Sequence, residues 1–254
     1  MDFTGKVVVI TGASSGIGEA LVYAFADRGA KVVMGARNSA KLAEIAAQLF
    51  TRGIESAFEA TDVTREEDCK RLIDKALSAF GRIDILICNA GISMRALFDD
   101  VQLDVLRQLM DVNFWGTVYC AKYALPALQA AKGTLVGVSS VAGMHGLPGR
   151  TGYSASKFAM TGLLETIRIE NLKKGVHVMV ACPGFTASNV RFSALTADGT
   201  SQGESPRNES KMMSAEEVAQ RIIRGIERHK RTLLMEFDGR ATSLIGKFAP
   251  GLLD

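Results

Sequence analysis

The chain has 254 residues, of which 47% are hydrophobic and 22% charged, and this composition is typical of a globular protein whose core needs no disulfide or metal. A formal net charge of +3 gives no case for nucleic-acid binding, which requires a clustered basic face. No apolar run approaches the roughly 20 residues that span a bilayer, no signal peptide precedes the first strand-like run at Lys6, and the cysteines form no metal-ligand pattern. We therefore expect a soluble cytoplasmic protein without a transmembrane segment, a metal site or a nucleic-acid partner.

Short apolar runs alternate with longer helical patterns along nearly the whole chain. Strand candidates are Val7–Ile10, Lys31–Gly35, Glu55–Ala60, Ile83–Cys88, Gly133–Ser139, Val176–Ala181 and Thr232–Phe237. Helical patterns cover Gly16–Arg28, Ser39–Arg52, Arg65–Phe80, Leu103–Lys132 (as one or two helices), Tyr153–Lys174 and Ala215–His229. Fully apolar strands are typical of a parallel sheet that helices cover on both faces. Because no position reads as a linker, the alternation predicts one doubly wound α/β domain over residues 1–254.

Two segments depart from this alternation. Ala187–Met213 is rich in Ser, Gly, Asn, Thr and Asp, and loops of this length in compact domains are usually functional or disordered. We expect it to be a substrate loop that buries little apolar surface and stays mobile until substrate binds. The apolar C-terminal tail at 241–254 is expected to pack against a partner subunit, line the pocket or touch a membrane surface.

A glycine-rich loop follows the first strand directly and leads into the first helix. It reads Thr11-Gly12-Ala13-Ser14-Ser15-Gly16-Ile17-Gly18, with the spacing G-x-x-x-G-x-G. Glycines let the chain turn tightly and let a pyrophosphate approach without a Cβ in the way, and a helix amino terminus supplies unpaired N–H groups. A glycine loop between a strand and a helix that open a βαβ unit predicts a dinucleotide site.

A second pattern places a tyrosine and a lysine on one helix face. Tyr153 and Lys157 stand at i and i+4, and a strand ending in Ser139-Ser140 precedes them. A phenol titrates near pH ~10, so it is a poor base at neutral pH. A lysine about 4 Å away would favour the phenolate by roughly 4 kcal/mol at an effective dielectric of ~20, and we expect Lys157 to bring Tyr153 close to neutrality.

These motifs together resemble the short-chain dehydrogenase/reductase (SDR) family, from the glycine loop to about residue 190. The other matching positions, in chain order, are Asp62-Val63, Asn89-Ala90-Gly91 after the fourth strand, Asn113, and Pro183-Gly184 with Thr186. The family's Asn-Asn-Ala-Gly begins here with Cys88, a tolerated departure. The resemblance implies a Rossmann-type sheet of seven parallel strands in the order 3-2-1-4-5-6-7, and a homodimer or homotetramer.

The resemblance also implies roles for individual residues. Ser140 rather than Ser139 would polarise the carbonyl oxygen, Tyr153 would be the general acid, and Lys157 would also bind the nicotinamide ribose. Asn113 would hold a relay water near the lysine, although by itself it reads as a helix-capping residue. The cofactor-binding residues implied are Gly12, Ser14, Ser15, Gly16, Ile17, Gly18, Arg37, Asp62, Val63, Asn89, Ala90, Gly91, Tyr153, Lys157, Pro183, Gly184 and Thr186.

The end of the second strand predicts the choice of cofactor. An acidic residue there would bind the ribose 2′-hydroxyl of NAD and repel a 2′-phosphate. The position of that acid in relatives that use NAD is Ala36 here, and Arg37 follows it. A guanidinium suits bidentate contact with phosphate, so the cofactor expected is NADP(H).

The function expected is hydride transfer between NADP(H) and a ketone or secondary alcohol. The resemblance implies which segments frame the pocket, and their apolar residues predict a bulky apolar substrate; they are Met94, Leu97, Phe98, Met144, Leu147, Phe185, Val190 and Phe192. One alternative is a 3-oxoacyl thioester reductase, although Ile92-Ser93-Met94-Arg95 lacks the Thr-Arg-Asp common in that branch. An alternative of another class is a non-catalytic NADP(H)-binding sensor or scaffold.

Overall fold

Strands and helices alternate along the chain in the computed structural model, which describes residues 2–186, 193–203 and 212–235. The strands are β1 (Val7–Thr11), β2 (Lys31–Ala36), β3 (Ser56–Ala60), β4 (Ile85–Cys88), β5 (Thr134–Val138), β6 (His177–Cys182) and β7 (Thr232–Leu234). The helices are α1 (Gly16–Ala26), α2 (Ser39–Thr51), α3 (Glu66–Phe80), α4 (Leu103–Met110), α5 (Gly116–Ala131), α6 (Thr151–Asn171) and α7 (Ala215–Glu227).

The strands form one sheet in the order β3-β2-β1-β4-β5-β6-β7, and every pair is parallel. The apolar strands β1 and β4 are buried along their whole length, because helices pack on both faces of the sheet. The expected single Rossmann-type domain, its strand number and its strand order are confirmed. Since all the strands run the same way, the loops after them open on one edge of the sheet.

The long pattern predicted over Leu103–Lys132 is broken by a π-helical turn. Helix α4 ends at Met110, the turn occupies Asp111–Trp115, and α5 continues from Gly116. The turn inserts an extra residue into the helical repeat, which apolar periodicity alone does not reveal. The π-helical turn holds Asn113 at its centre, and the side chain of Asn113 is buried there.

Most other boundaries shift by one to three residues, as helix and strand ends commonly do. Helix α6 begins at Thr151 and ends at Asn171, where a 3₁₀ turn over Leu172–Lys174 takes over. Strand β7 ends at Leu234, and the predicted remainder to Phe237 extends beyond the described residues, as does the tail at 241–254.

Within the described ranges, no helix is long and apolar enough to cross a membrane, and no group of three or more His, Cys, Asp or Glu side chains is arranged to hold a metal. The cysteines are buried free thiols.

Candidate active site

A cleft of about 1680 Å³ opens at the carboxyl edge of the sheet. It runs from the glycine loop after β1, past the ends of β2, β4, β5 and β6, to α4 and the start of α6. Every residue of the expected cofactor set lines it except Gly18, and so do Ser140, Tyr153 and Lys157 of the expected catalytic set. Asn113 and Gly18 lie behind its wall.

The glycine loop is shaped by close backbone packing. Gly12 has a φ of 67°, which favours glycine, and a Cβ added there would lie 2.9 Å from the Cα of Ala90. A Cβ on Gly18 would lie 2.1 Å from the carbonyl oxygen of Gly12, so Gly18 lets helix α1 pack directly under the loop. Gly18 thus has a packing role under the loop, and the cofactor contact expected of it stays a prediction.

Thr11 joins the glycine loop to the Asn-Ala-Gly segment. Its hydroxyl oxygen accepts hydrogen bonds from the N–H groups of Asn89 and Ala90, both at 3.0 Å. The Asn89 amide in turn donates to the carbonyl oxygen of Thr11 at 3.0 Å. These bonds fix two walls of the cleft against each other. Sequence reasoning missed this role of Thr11, although Thr11 opens the motif that predicted the loop.

A carboxylate network supports the cleft at Asp62. The Asp62 side chain accepts from the N–H and the hydroxyl of Thr64, at 3.0 and 2.8 Å, which closes its own turn. The backbone N–H of Asp62 donates to Asp68 at 3.0 Å, and Asp68 also pairs with Arg71 at 2.8 Å. Burial alone would raise the pKa of Asp68, because it disfavours the charged carboxylate. The hydrogen bonds outweigh the effect of burial, so the pKa of Asp68 is lowered. Sequence reasoning missed Asp68, which reads as an ordinary acid in the first turn of α3.

Arg37 lies at the end of β2, exposed on the cleft wall. Ala36 precedes it, so no carboxylate stands at the last residue of the strand. Asn38 caps helix α2 by accepting from the N–H of Lys41 at 3.0 Å. This part of the cleft therefore presents a cationic side chain beside a helix amino terminus.

Ser140, Tyr153 and Lys157 meet where β5 ends and α6 begins. Ser140 hydrogen-bonds the half-buried Tyr153 and also accepts from the N–H of Ala142 at 3.2 Å. The Lys157 ammonium donates to the carbonyl oxygen of Val138 at 2.8 Å and lies 5.8 Å from the centroid of the Tyr153 ring. Ser139 is buried beside Thr161, with 3.3 Å between the hydroxyl oxygens. The hydrogen bond to Tyr153 thus distinguishes Ser140 from its neighbour.

Asn113 is held behind this cluster by the π-helical turn. Its side-chain oxygen accepts from the N–H of Ile92 at 2.9 Å, and its amide donates to the Ile92 carbonyl at 3.0 Å and to the Ser156 hydroxyl at 2.9 Å. Ser156 donates onward to the carbonyl of Tyr153 at 2.8 Å. Asn113 is not a helix cap in this arrangement; it ties the segment after Gly91 to helix α6.

The electrostatics of the tyrosine and lysine differ from the sequence prediction. Burial raises the pKa of Tyr153 above its ordinary value, while the Ser140 hydrogen bond and the Arg150 charge act in the opposite direction. Burial also lowers the pKa of Lys157 from 10.5 to about 8. The pKa of Tyr153 therefore does not fall towards neutrality as expected, because burial is the largest effect on it and raises it.

Only some of the apolar residues expected to frame the substrate pocket line the outer end of the cleft. Leu97, Leu147 and Phe185 line it, and Leu97 and Phe185 are 62% and 40% exposed. Met94 is instead buried in a small apolar cluster, Met144 packs against the main core, and Phe98 is exposed away from the cleft lining. Val190 and Phe192 lie outside the described residues. Charged side chains complete this end; they are Arg95, Asp104, Arg107, Asp111 and Arg150.

Part of the expected substrate loop packs onto the segment after Gly91. Leu195 donates to the Ser93 carbonyl at 2.9 Å and accepts from the N–H of Arg95 at 2.8 Å. Ala194 and Leu195 are buried, the latter against Met94 and its apolar neighbours. The expectation that the loop buries little apolar surface is therefore wrong for residues 193–203. The composition missed it because few apolar side chains suffice when they fall at the packed positions.

Comparison with known proteins agrees with this geometry. The sequence profile of the short chain dehydrogenase family matches residues 6–198. The chain is 37% identical to an 11-beta-hydroxysteroid dehydrogenase A of Arachis hypogaea over 98% of this chain and 74% of that protein, and 34% identical to a dehydrogenase/reductase SDR family protein 7-like of Drosophila melanogaster over 91% and 72%.

Solved structures resemble the fold over most of its length. A short chain dehydrogenase/reductase of Burkholderia phymatum in complex with NAD superposes with a TM-score of 0.86 at 25% identity, covering 100% of this chain and 96% of that one. An alcohol dehydrogenase of Thermococcus sibiricus complexed with 5-hydroxy-NADP gives 0.79 at 27% identity, covering 90% and 93%. The chain therefore belongs to the short chain dehydrogenase family of oxidoreductases.

Proposed function

We propose that this protein transfers a hydride between NADP(H) and a ketone or secondary alcohol. The observation that carries the proposal is the meeting of Ser140, Tyr153 and Lys157 in one cleft with the glycine loop. The cleft suits a dinucleotide, since the glycine loop, the amino terminus of α1 and the Asn89-Ala90-Gly91 segment all line it. When bound, the nicotinamide supplies the hydride.

The side chains of the protein would orient the substrate and the cofactor and supply the proton to the substrate oxygen. Ser140 and Tyr153 present two hydroxyl groups to the oxygen of the substrate carbonyl, and Tyr153 gives that oxygen its proton during reduction. Lys157 would bind the nicotinamide ribose and, with Asn113 and its hydrogen bonds, keep α6 in register with the cleft. A non-catalytic sensor would need no such proton donor beside the cofactor site, so the intact set favours an enzyme.

We propose NADP(H) rather than NAD(H) on the chemistry at the end of β2. Ala36 offers no carboxylate to a ribose 2′-hydroxyl, and the exposed Arg37 suits a 2′-phosphate. Of the two structural relatives, one is complexed with NAD and the other with 5-hydroxy-NADP, so both forms occur on this fold.

The substrate we propose is bulky and apolar. Leu97, Leu147 and Phe185 give the outer cleft exposed apolar surface that a large apolar ligand would cover. The relatives named as 11-beta-hydroxysteroid dehydrogenases point to polycyclic alcohols and ketones. A 3-oxoacyl thioester reductase is the second candidate, and the arginines at the same end of the cleft are the feature that favours it.

A substrate panel tests both candidates. Polycyclic ketones, small polar ketones and 3-oxoacyl thioesters are assayed with NADPH and with NADH by loss of the absorbance of the reduced nicotinamide. We expect the highest kcat/KM with polycyclic ketones and NADPH. Equal kcat/KM for small polar ketones would contradict the apolar pocket, and a preference for thioesters would establish the second candidate. Binding of NADPH without turnover of any member would favour a sensor.

The assembly and location proposed for the protein are a homodimer or homotetramer in the cytoplasm. The exposed Trp115 and Phe158 (43% and 45%) support an oligomer, since large aromatic side chains are enriched at subunit interfaces. Light scattering on the purified protein gives the subunit number, and a monomer would contradict the proposal.

A further inference from the structure

The segment that follows Gly91 has one side on the small apolar cluster and the other on the cleft. Met94 is buried in that cluster and Ala96 packs on it. Ser93 and Arg95 alternate with these two residues and line the cleft. Because side chains two residues apart in an extended chain point to the same side, Ser93 and Arg95 share the cleft side of the segment.

Backbone hydrogen bonds hold this segment from both edges. The N–H of Arg95 donates to the carbonyl of Leu195 at 2.8 Å, and the N–H of Ala96 donates to the carbonyl of Gly149 at 3.1 Å. The segment is thus the middle one of three short parallel stretches of chain. This pairing keeps it extended, so the side on which Arg95 leaves the backbone is fixed.

A second arginine reaches the same side of the segment. The guanidinium of Arg150, at the start of α6, donates a hydrogen bond to the hydroxyl of Ser93, which is only 3% exposed. Arg150 also lines the cleft. Since Cα atoms two residues apart in an extended chain are about 7 Å apart, this guanidinium is bound one side-chain position away from Arg95. Two positive charges therefore meet on one wall of the cleft.

The carboxylates at this end of the cleft lie on helix α4 and the π-helical turn after it. Arg107 has Asp104 three residues before it and Asp111 four residues after it, so both acids are its neighbours on the helix surface. It pairs with Asp104 at 2.7 Å. Arg95 is exposed and forms no ion pair with a carboxylate in the part of the chain that the structure describes. Its charge is therefore available to a ligand.

We propose that the substrate carries an anionic group, a carboxylate or a phosphate, on its bulky apolar body, and that Arg95 binds this group with the charge of Arg150 beside it. The proposal rests on the proposed function, whose reaction it leaves unchanged and whose substrate class it narrows. A guanidinium binds carboxylate and phosphate oxygens through two parallel hydrogen bonds. The apolar body would lie against Leu97, Leu147 and Phe185 in the same outer cleft.

The two charges also argue against a wholly apolar substrate. Such a ligand would remove water from Arg95 and Arg150 as it covered this wall of the cleft, and a charge that loses water without gaining a partner costs free energy. An anionic group on the ligand replaces the lost water with a hydrogen-bond acceptor of opposite charge. The substrate that suits this wall best is therefore apolar over most of its surface and charged at one point.

The first test compares keto acids with their primary amides, which have nearly the same shape and no charge. The probes are 4-(4-oxocyclohexyl)benzoate and 3-oxocholanate, each with its amide, and kcat/KM is measured with NADPH at low ionic strength. We expect the acid to be preferred about tenfold in at least one pair, the factor for a weak hydrogen bond between charged groups. Salt at about 1 M should lower the preference, because ions screen exposed charges. Equal kcat/KM for acid and amide in both pairs would overturn the proposal.

Two arginine variants assign the preference to a residue. Arg95→Gln should bring the ratio of kcat/KM for acid over amide close to one, and Arg95→Lys should keep part of it. Arg107→Gln is the matched control, because it removes the same charge from the same end of the cleft, but from a guanidinium that Asp104 already pairs. Its ratio should stay within about twofold of the wild type, since exposed charges that do not touch the ligand are screened.

The ratio in these variants decides the assignment. A wild-type ratio in folded Arg95→Gln, or an equal fall in Arg107→Gln, would overturn the role of Arg95. If Arg95→Gln does not fold, a wild-type preference that high salt leaves unchanged does so instead. The thioester of a 3-oxoacyl group with coenzyme A, compared with that of N-acetylcysteamine, separates the two anions: a preference for coenzyme A that needs Arg95 identifies a phosphate, and one for the keto acid identifies a carboxylate.

A binding measurement separates this proposal from the proposed function. Calorimetric titration of the same acids and amides into the protein, with and without NADP⁺, needs no turnover. We expect the acid to bind more tightly than its amide in the wild type and to lose this advantage in Arg95→Gln. If that difference appears but no probe is reduced, the proposed function is refuted and the anion site stands. If acid and amide are reduced and bound equally, the anion site is refuted and the proposed function stands.

Discussion

At the scale of single residues, burial dominates both ionisable groups of the proposed proton-transfer site. It raises the pKa of Tyr153 and lowers that of Lys157 to about 8, since water is removed from the charged form of each. The hydrogen bond from Ser140 and the charge of Arg150 work against burial at the tyrosine. The chemistry of the site is thus set by neighbours that are not adjacent in sequence.

Replacing Tyr153 by Phe tests the proposed proton donor. General acids of this kind contribute about 10²–10⁴-fold, so we expect kcat to fall by that factor in Tyr153→Phe. The dissociation constant for NADPH, measured by fluorescence titration, should hardly change, because only the hydroxyl is removed. Lys157→Ala should lose both activity and NADPH affinity. Substantial turnover by Tyr153→Phe would remove the tyrosine from the mechanism.

Replacing Arg37 tests the proposed phosphate contact. A hydrogen bond to a charged group contributes about 1.5–3 kcal/mol, so Arg37→Ala should lower kcat/KM with NADPH roughly 10- to 150-fold and leave that with NADH nearly unchanged. Adding Ala36→Asp should raise kcat/KM with NADH, because the new carboxylate would bind the ribose 2′-hydroxyl of NADH. The role assigned to Arg37 is wrong if the wild type uses NADH as well as NADPH.

At the scale of elements, the glycine loop and helix α1 form one packed unit. Gly18 has no room for a side chain, because a Cβ would lie 2.1 Å from the carbonyl oxygen of Gly12. Gly162 on α6 is also helical, but it is exposed and a Cβ there would meet nothing within 4 Å. The two glycines are therefore a matched pair for separating packing from helix propensity.

Alanine at these two positions should change stability in opposite directions. Gly162→Ala should gain about 0.5–1 kcal/mol in the free energy of unfolding, because glycine costs that much in a helix. Gly18→Ala should lose about 2 kcal/mol or more and weaken NADPH binding, since the loop must move away from the new methyl group. Urea unfolding and fluorescence titration measure both quantities. A stabilised Gly18→Ala that binds NADPH normally would contradict the packing described for the loop.

At the scale of the whole molecule, the two edges of the sheet have different tasks. The cleft lies at the carboxyl edge of the sheet. At the amino edge, the side chain of Asp84 is only 4% exposed and contacts three other residues. It accepts from the N–H of Val7 at 3.0 Å and pairs with Arg82 at 2.6 Å and Lys6 at 3.1 Å. Burial opposes its charge, but these hydrogen bonds outweigh that effect and lower the pKa of Asp84.

Replacing Asp84 by Asn should therefore cost stability and leave catalysis alone. Truncating a buried, hydrogen-bonded charge pair costs about 3 kcal/mol, while kcat/KM of the folded variant should match the wild type because the cleft lies at the other edge. The contribution is present above the unfolded pKa of about 3.9 and is lost as pH falls through the lower folded value. The stability gap between Asp84→Asn and the wild type should hence narrow near pH ~3. A gap independent of pH would contradict the ionic role.

What the sequence determined by itself follows from local patterns. The apolar runs were enough to predict the parallel sheet. The motifs, through the family resemblance, were enough to predict the strand order and the grouping of Ser140, Tyr153 and Lys157 in one cleft. Each depends on periodicity, on glycine, or on the i and i+4 spacing of one helix, and these properties survive in the linear order of residues.

Only the tertiary structure decided the rest. That Gly18 packs under the loop, that Asn113 sits in a π turn behind the wall and that Met94 joins a core cluster all depend on which residues distant in sequence come into contact. The same holds for the partners of the two cations in the cleft, because the Lys157 ammonium donates to the carbonyl of Val138 on β5 and the Arg150 guanidinium donates to Ser93. Charges act through space and not along the chain, so their effect becomes known only when the fold has set the distances.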